Sequence, residues 1–247
     1  MLEIFDAAKA LAANKTAKRL AAIALAKQIL KVSGVVDPGL AQPVLPVHLA
    51  EYTPQSLEAE IERQTARYQE LEYHKWLRTS AGRFKDVLMR LPVPQPETLR
   101  VRFGIPVIAF GQIPVEEQAR LVGIEYQVEE GLSVSDWPKD PQRYKTPEKA
   151  YLTLMQDGTE YLNRTAETVR NSLAPDERGA TQYDGIGLYV AHPEVLEVQN
   201  IELPGTEVGP DHAAVLSMPG YGYGPQLGRN YIRHGNMRLG SATCARA

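Results

Sequence analysis

The side chains best able to do chemistry in this chain are one thiol, Cys244, five histidines and a group of arginines near the C-terminus. Cys244 is flanked in sequence by Arg238 and Arg246, and nearby positive charge lowers a thiol pKa and makes a nucleophile of it. The plainer reading is a small packing side chain. His192 stands before Pro193 at the expected end of a helix, where a ring nitrogen binds terminal carbonyls and an imidazolium complements the helix dipole. Were folding to gather His192 with Asp184 and Cys244, and with the Asp211-His212 pair, acid–base or nucleophilic chemistry would follow. His192, Asp184 and Cys244 are therefore the catalytic candidates, with helix capping the competing role for His192.

Other signatures are missing. The histidines at 48, 74, 192, 212 and 234 have no H-E-x-x-H or similar chelating spacing, and one cysteine cannot build a thiolate cage, so no metal is expected. There is no G-x-x-x-x-G-K-[ST], and no cofactor is expected. The tract Gly220-Tyr221-Gly222-Tyr223-Gly224-Pro225 lacks the strand-to-helix setting of a dinucleotide fingerprint; its tyrosines either cover the core or stack on a ring. No nucleophile elbow G-x-S-x-G occurs, which leaves Ser241 as a small residue in a strand.

Charge is distributed unevenly. Residues 194–211 hold five acids and no Lys or Arg, whereas 212–247 hold Arg229, Arg233, Arg238 and Arg246 and no acid. Strands lying side by side would join the two runs in cross-strand ion pairs. On one exposed face with Asn230 and Tyr231, Arg229, Arg233 and Arg238 would instead bind phosphate or carboxylate groups, a nucleic acid among them. Lys9, Lys15, Lys18, Arg19, Lys27 and Lys31 are scattered around a helical projection and form no stripe for a membrane surface.

These side chains are positioned by elements that the pattern predicts. Residues 2–32 are Ala-, Leu- and Lys-rich and predict two short helices or one bent one, followed by a proline-rich connector at 34–46. Thr53 and Pro54 open a helix whose apolar face, Leu57, Ile61, Tyr68 and Leu71, reaches about residue 78, with Glu60–Arg63 and Arg67–Glu70 pairs. Another helix spans 80–91, with Phe84, Val87, Leu88 and Leu91 in one register. Pro92, Pro94 and Pro96 then form a stiff spacer.

Beyond the spacer, a strand over 105–110 precedes a helix opened by Pro114 and closed at Gly123, and a strand over 151–155 turns at Asp157-Gly158 as a hairpin. A helix follows with Leu162, Ala166, Val169 and Leu173 on one face. Thr181 and Asp184 then form a capping-box-like start to a helix ending at His192, with Gly185 and Gly187 permitting close packing. Short antiparallel strands complete the chain. The expectation is an α+β protein: a helical module at 1–91, a linker at 92–96 and an α+β domain at 97–247.

Composition is that of a folded protein: 247 residues, 43% hydrophobic and 23% charged, with a net charge of -3 that gives no overall attraction to nucleic acid or to an anionic membrane. The opening Glu3 and Asp6, the absence of a long apolar run and the lone cysteine predict a soluble, cytoplasmic protein without a membrane partner.

Four features together resemble an uncharacterised bacterial family of unknown function, over roughly residues 100–247. They are Ser135-Asp136-Trp137-Pro138, Ala150-Tyr151-Leu152 with Asp157-Gly158, the segment 181–196, and Leu239-Gly240-Ser241-Ala242-Thr243-Cys244. The resemblance implies a common α+β core and brings no catalytic residue with it. The resulting expectation is a non-enzymatic accessory protein whose helical module docks a protein partner. The alternatives are nucleic-acid binding through the C-terminal arginines, or an enzyme built around His192, Asp184 and Cys244.

Overall fold

Pro54 fixes a helical φ at the first turn, and the Leu57, Ile61, Gln64, Thr65 and Tyr68 side chains that follow at helical spacing are all buried in helix α1 (Pro54–Glu70). The structure is a computed structural model that describes residues 54–92, 103–140, 144–218, 224–235 and 238–246, all within the unit Pro46–Ala247. The helices expected at 2–32, most of the proline spacer and Tyr221 and Tyr223 lie outside the described residues.

α1 stops short of residue 78 because Glu72 turns left-handed, at φ 63°. A one-turn helix α2 (Tyr73–Trp76) follows, and Arg78, at φ 53°, turns the chain again. Thr79 N–H donates to His74 C=O and Arg78 N–H to Lys75 C=O, the paired bonds of a Schellman motif, with arginine at the position where glycine is usual. Ser80 then caps α3 (Ala81–Leu88) by accepting from Arg83 N–H at 3.3 Å.

Strand β1 (Ile105–Phe110) is fully buried yet lies at a sheet edge, hydrogen-bonded to one strand only. Its outward-facing backbone groups are met by side chains. Gln64 Nε2 donates to Pro106 C=O at 2.6 Å, Ile108 N–H donates to Gln64 Oε1 at 2.9 Å, and Tyr68 OH donates to Ile108 C=O at 2.6 Å. Pro106 has no N–H to satisfy, which suits an edge. Gln118, on α4 (Val115–Val122), closes the row on Phe110 C=O at 2.7 Å. A buried edge must be paired or covered, and here α1 and α4 cover it.

After α4 come β2 (Glu125–Tyr126), β3 (Val134–Asp136) and β4 (Ala150–Gln156), then a 3-10 turn and α5 (Ala166–Ser172). Next are β5 (Glu177–Gly179), α6 (Gln182–Ala191), α7 (Val195–Val198), β6 (Asn200–Val208), β7 (His212–Ser217), β8 (Gln226–Tyr231), β9 (Leu239–Ser241) and β10 (Thr243–Ala245). One antiparallel sheet runs β1-β4-β10-β5; the other runs β2-β8-β7-β6-β3, with β9 sharing the β3 side of β6. The fold is α+β. Two of the pairings, β2 with β8 and β6 with β9, are parallel.

The hairpin expected at Asp157-Gly158 does not form. Gly158, at φ 95°, presses its backbone on Gly240, and the chain turns away into the 3-10 segment, while β10 takes the place beside β4. Helix α6 packs on β1 of the first sheet and β6 of the second. It can do so because a Cβ at Gly187 would stand 2.6 Å from Ile108 O, and one at Gly185 2.6 Å from a Leu203 methyl.

The expected division at 92–96 is corrected for residues 54–91. Leu57, Ile61, Tyr68, Tyr73, Phe84 and Leu88 belong to the same apolar core as Ile108, Phe110, Ile186 and Leu203. Tyr68 and Tyr73 pack their rings 4.7 and 5.0 Å from Phe110, so the spacer joins parts of one interior. Among the described residues no helix is long and apolar enough to cross a membrane.

Candidate functional site

Of the three catalytic candidates, Asp184 and Cys244 lie together and His192 stands apart. Asp184 completes the capping box at the start of α6, where its Oδ2 accepts from the N–H and hydroxyl of Thr181 at 2.7 and 2.9 Å. Arg178 on β5 meets the same carboxylate through both Nη atoms, at 2.7 and 3.1 Å, and Tyr151 OH donates to it at 3.0 Å. Asp184 is 0% exposed and Arg178 2%. Burial pushes the Asp184 pKa up, but Arg178 and the Thr181 donors outweigh it and hold the carboxyl below its ordinary value. With five donors on its two oxygens, this carboxylate has no acceptor site left for a substrate proton.

Cys244, on β10, lies beside this pair. Burial drives its thiol far above the ordinary value, and Arg178 offsets only part of that. The sequence argument for a reactive thiol rested on neighbouring arginines; Arg178 is the arginine actually near, and desolvation wins. His192 caps the other end of α6, eight residues and so about 12 Å along the axis from Asp184. Its Nδ1 is 3.3 Å from a Glu194 oxygen and its Nε2 4.0 Å from one of Glu60. Asp211 lies in the turn before β7 and His212 starts the strand, with His212 Nδ1 on Pro210 C=O at 2.7 Å, and none of their described hydrogen bonds reaches Asp184.

Three of the C-terminal arginines are ion-paired with acids outside the run 194–211. Arg229 meets Glu129 at 2.8 Å, Arg233 meets Glu167 at 3.3 Å, and Arg246 meets Asp140 at 3.0 Å. Arg238 is exposed in the turn before β9. Of the acidic run, Glu202 is turned inward, accepting from Ser241 at 2.8 Å and Asn230 at 3.1 Å. The partners lie a hundred residues away in sequence or in other connections, which charge counting along the chain does not reveal.

A different place on the molecule leaves large apolar side chains open to solvent. An open groove of about 350 Å³ lies between the turn that follows α2 and helix α3, lined by Leu77, Arg78, Thr79, Arg83, Phe84 and Val87. That is the low end of the ~300–1,000 Å³ of small-molecule sites, room for one or two side chains. Val87 is 52% exposed and neighbouring Trp76 38%, two of the three large apolar side chains most exposed among the described residues. The sequence placed Val87 on the buried face with Phe84, Leu88 and Leu91; the short helix buries only Phe84 and Leu88 and leaves Val87 on its flank.

Cations surround this apolar floor. Lys75 is paired with Glu72 and Lys85 with Glu62, whereas Arg78, Arg83 and Arg90 have no acidic partner among the described residues. Sequence reading missed Arg78 and Arg83, and the signal that existed was modest: an arginine two residues after Trp76, and an excess of Arg over acid between residues 78 and 91. A second, smaller concavity beside Arg170 and Trp137 is mixed in charge. Its guanidinium lies over the Trp137 ring at 5.1 Å and donates to the Pro204 and Thr206 carbonyls. Compared with protein-family models, curated proteins and solved structures, the chain gives no match.

Proposed function

We propose that this is a non-enzymatic interaction protein of the cytoplasm, which docks a protein partner through the helices of residues 54–91 and uses the two sheets as scaffold. One observation carries this reading: solvent-facing Val87 lines an open groove together with the unpaired guanidiniums of Arg78 and Arg83, while Asp184 and Cys244 are spent inside. Apolar side chains left in water beside arginine are the composition of interface centres, where aromatic residues and Arg are enriched. The lone, fully buried thiol suits a reducing compartment.

A photo-crosslinking amino acid placed at Val87 in the full chain tests the reading in cells. Expected is a discrete protein adduct from position 87 that disappears when Arg83→Glu is added, with no such adduct from exposed Glu148. Equal adducts from both positions, or none from position 87, would remove the interaction role.

A further inference from the structure

The chemistry of the groove specifies its occupant. Resting on the interaction reading above, we infer that the α2–α3 groove binds a linear peptide segment that places an apolar side chain on Leu77, Phe84 and Val87 and carboxylates against Arg78 and Arg83. The floor supplied by Phe84 and the flank supplied by Val87 have no polar requirement. Both charged side chains that line the groove, Arg78 and Arg83, are cationic. The one acid of α3 is Asp86, and the neighbouring lysines are already neutralised by Glu72 and Glu62. Guanidinium forks match carboxylates two bonds at a time, so an acidic partner is the complementary one.

Charge also argues against the chain's own preceding segment as occupant. Residues 1–45 carry Lys9, Lys15, Lys18, Arg19, Lys27 and Lys31 against Glu3, Asp6 and Asp37, a net positive charge of the same sign as the groove arginines. Arg78 adds an independent point. It holds a left-handed conformation in a Schellman turn, where glycine costs nothing and arginine is strained, and it lines the groove without an acidic partner among the described residues. Strain kept in an exposed arginine marks a position held for something other than stability.

The test uses the full chain and three fluorescent peptides: one alternating Leu and Glu, one with Lys in place of each Glu, and one with Ser in place of each Leu. Anisotropy titration should show binding of the Leu/Glu peptide alone, weakened about tenfold or more by Arg83→Glu and severalfold by Val87→Ser, and weakened by added salt. Arg78→Gly should bind the same peptide more weakly while unfolding at a higher urea concentration, a split that a purely structural role for Arg78 would not give. Binding of the Lys peptide at equal strength, or wild-type affinity in Arg83→Glu, overturns the inference. So does a single-stranded RNA probe that binds through the same arginines while the Leu/Glu peptide does not, or a dimer in sedimentation that Arg83→Glu disperses. Should all peptides fail while the Val87 crosslink still forms, the acidic-segment inference falls and the interaction role stands; loss of both removes both.

Discussion

Replacing Gln64 by leucine isolates the device that seals the first sheet. The side chain is fully buried, and its amide does two jobs on one strand: it accepts from Ile108 N–H at 2.9 Å and donates to Pro106 C=O at 2.6 Å. Leucine has nearly the same volume, so packing with Ile61 and Tyr68 survives while both backbone groups lose their partner. A buried backbone group left unpaired costs about 1–3 kcal/mol, so the two together cost about 2–6 kcal/mol; the added apolar burial returns roughly 1 kcal/mol, for a net loss of about 1–5 kcal/mol. Urea unfolding of the full chain reads that loss. Amide hydrogen exchange then locates it: Ile108 should lose protection relative to Val107, whose register partner Thr153 in β4 is untouched. Equal protection of the two amides in Gln64→Leu, together with a stability change below about 1 kcal/mol, would refute the claim that α1 serves as the missing neighbour of β1.

Truncation after Leu45 should leave a folded protein by circular dichroism, because the unit Pro46–Ala247 holds the core, whereas removal of residues 1–91 should leave an aggregating one, since it strips α1 from the β1 edge and Phe110. Arg178→Met should cost about 3–5 kcal/mol by leaving the Asp184 charge buried and unpaired, and adding Asp184→Asn should recover part of it in the same urea assay. Burial raises the Glu202 carboxyl above its ordinary 4.5, so the folded chain binds this proton more tightly than the unfolded one. That contribution is full below 4.5 and is lost as pH rises through the folded value, so Glu202→Gln should gain stability over wild type more at about pH 8 than at about pH 4. Cys244 should resist aromatic disulfide reagents in the native protein and react stoichiometrically in guanidinium; fast native labelling would show an accessible thiolate.

What could be read in the sequence was local. Ser80, Pro114 with Gly123, and Thr181 with Asp184 act through the few residues that follow them, and each marks the helix end it was expected to mark. What could not be read depends on distance in sequence. Gln64 looks like a surface residue of an amphipathic helix until a strand edge forty residues later needs both of its amide atoms. The spacer Pro92–Pro96 looked like a domain boundary because proline reports stiffness and says nothing about which bodies it joins. Arginine pairing failed in the same way: Arg229 finds Glu129 because β8 lies beside β2, a parallel pairing that no turn announces. The groove stayed hidden because Val87 sits in perfect helical register with core residues, and only the length and tilt of α3 decide that it remains outside.

The final strands explain why so much charge is buried. β9 joins the second sheet beside β6, and β10, after Ala242 alone, joins the first between β4 and β5, so these few residues stitch the sheets together. Ala242 itself donates to Glu202 C=O at 2.9 Å and accepts from Ala180 N–H at 3.0 Å. Strands of three residues carry too few apolar contacts to fix their own register, and a slip by one would turn every side chain to the wrong face. Three polar clusters prevent it: Ser241 on Glu202, Thr243 on Glu177 with Tyr161, and the Arg178–Asp184 pair beside Cys244. A slip would strand a buried carboxylate, at a cost that apolar packing could not match. Substitutions at Ser241 or Cys244 should therefore be felt first as loss of fold, and substitutions at Arg78, Arg83 or Val87 as loss of binding with the fold intact. On the proposed reading, that separation places the chemistry-bearing residue types and the binding residues on different parts of this molecule.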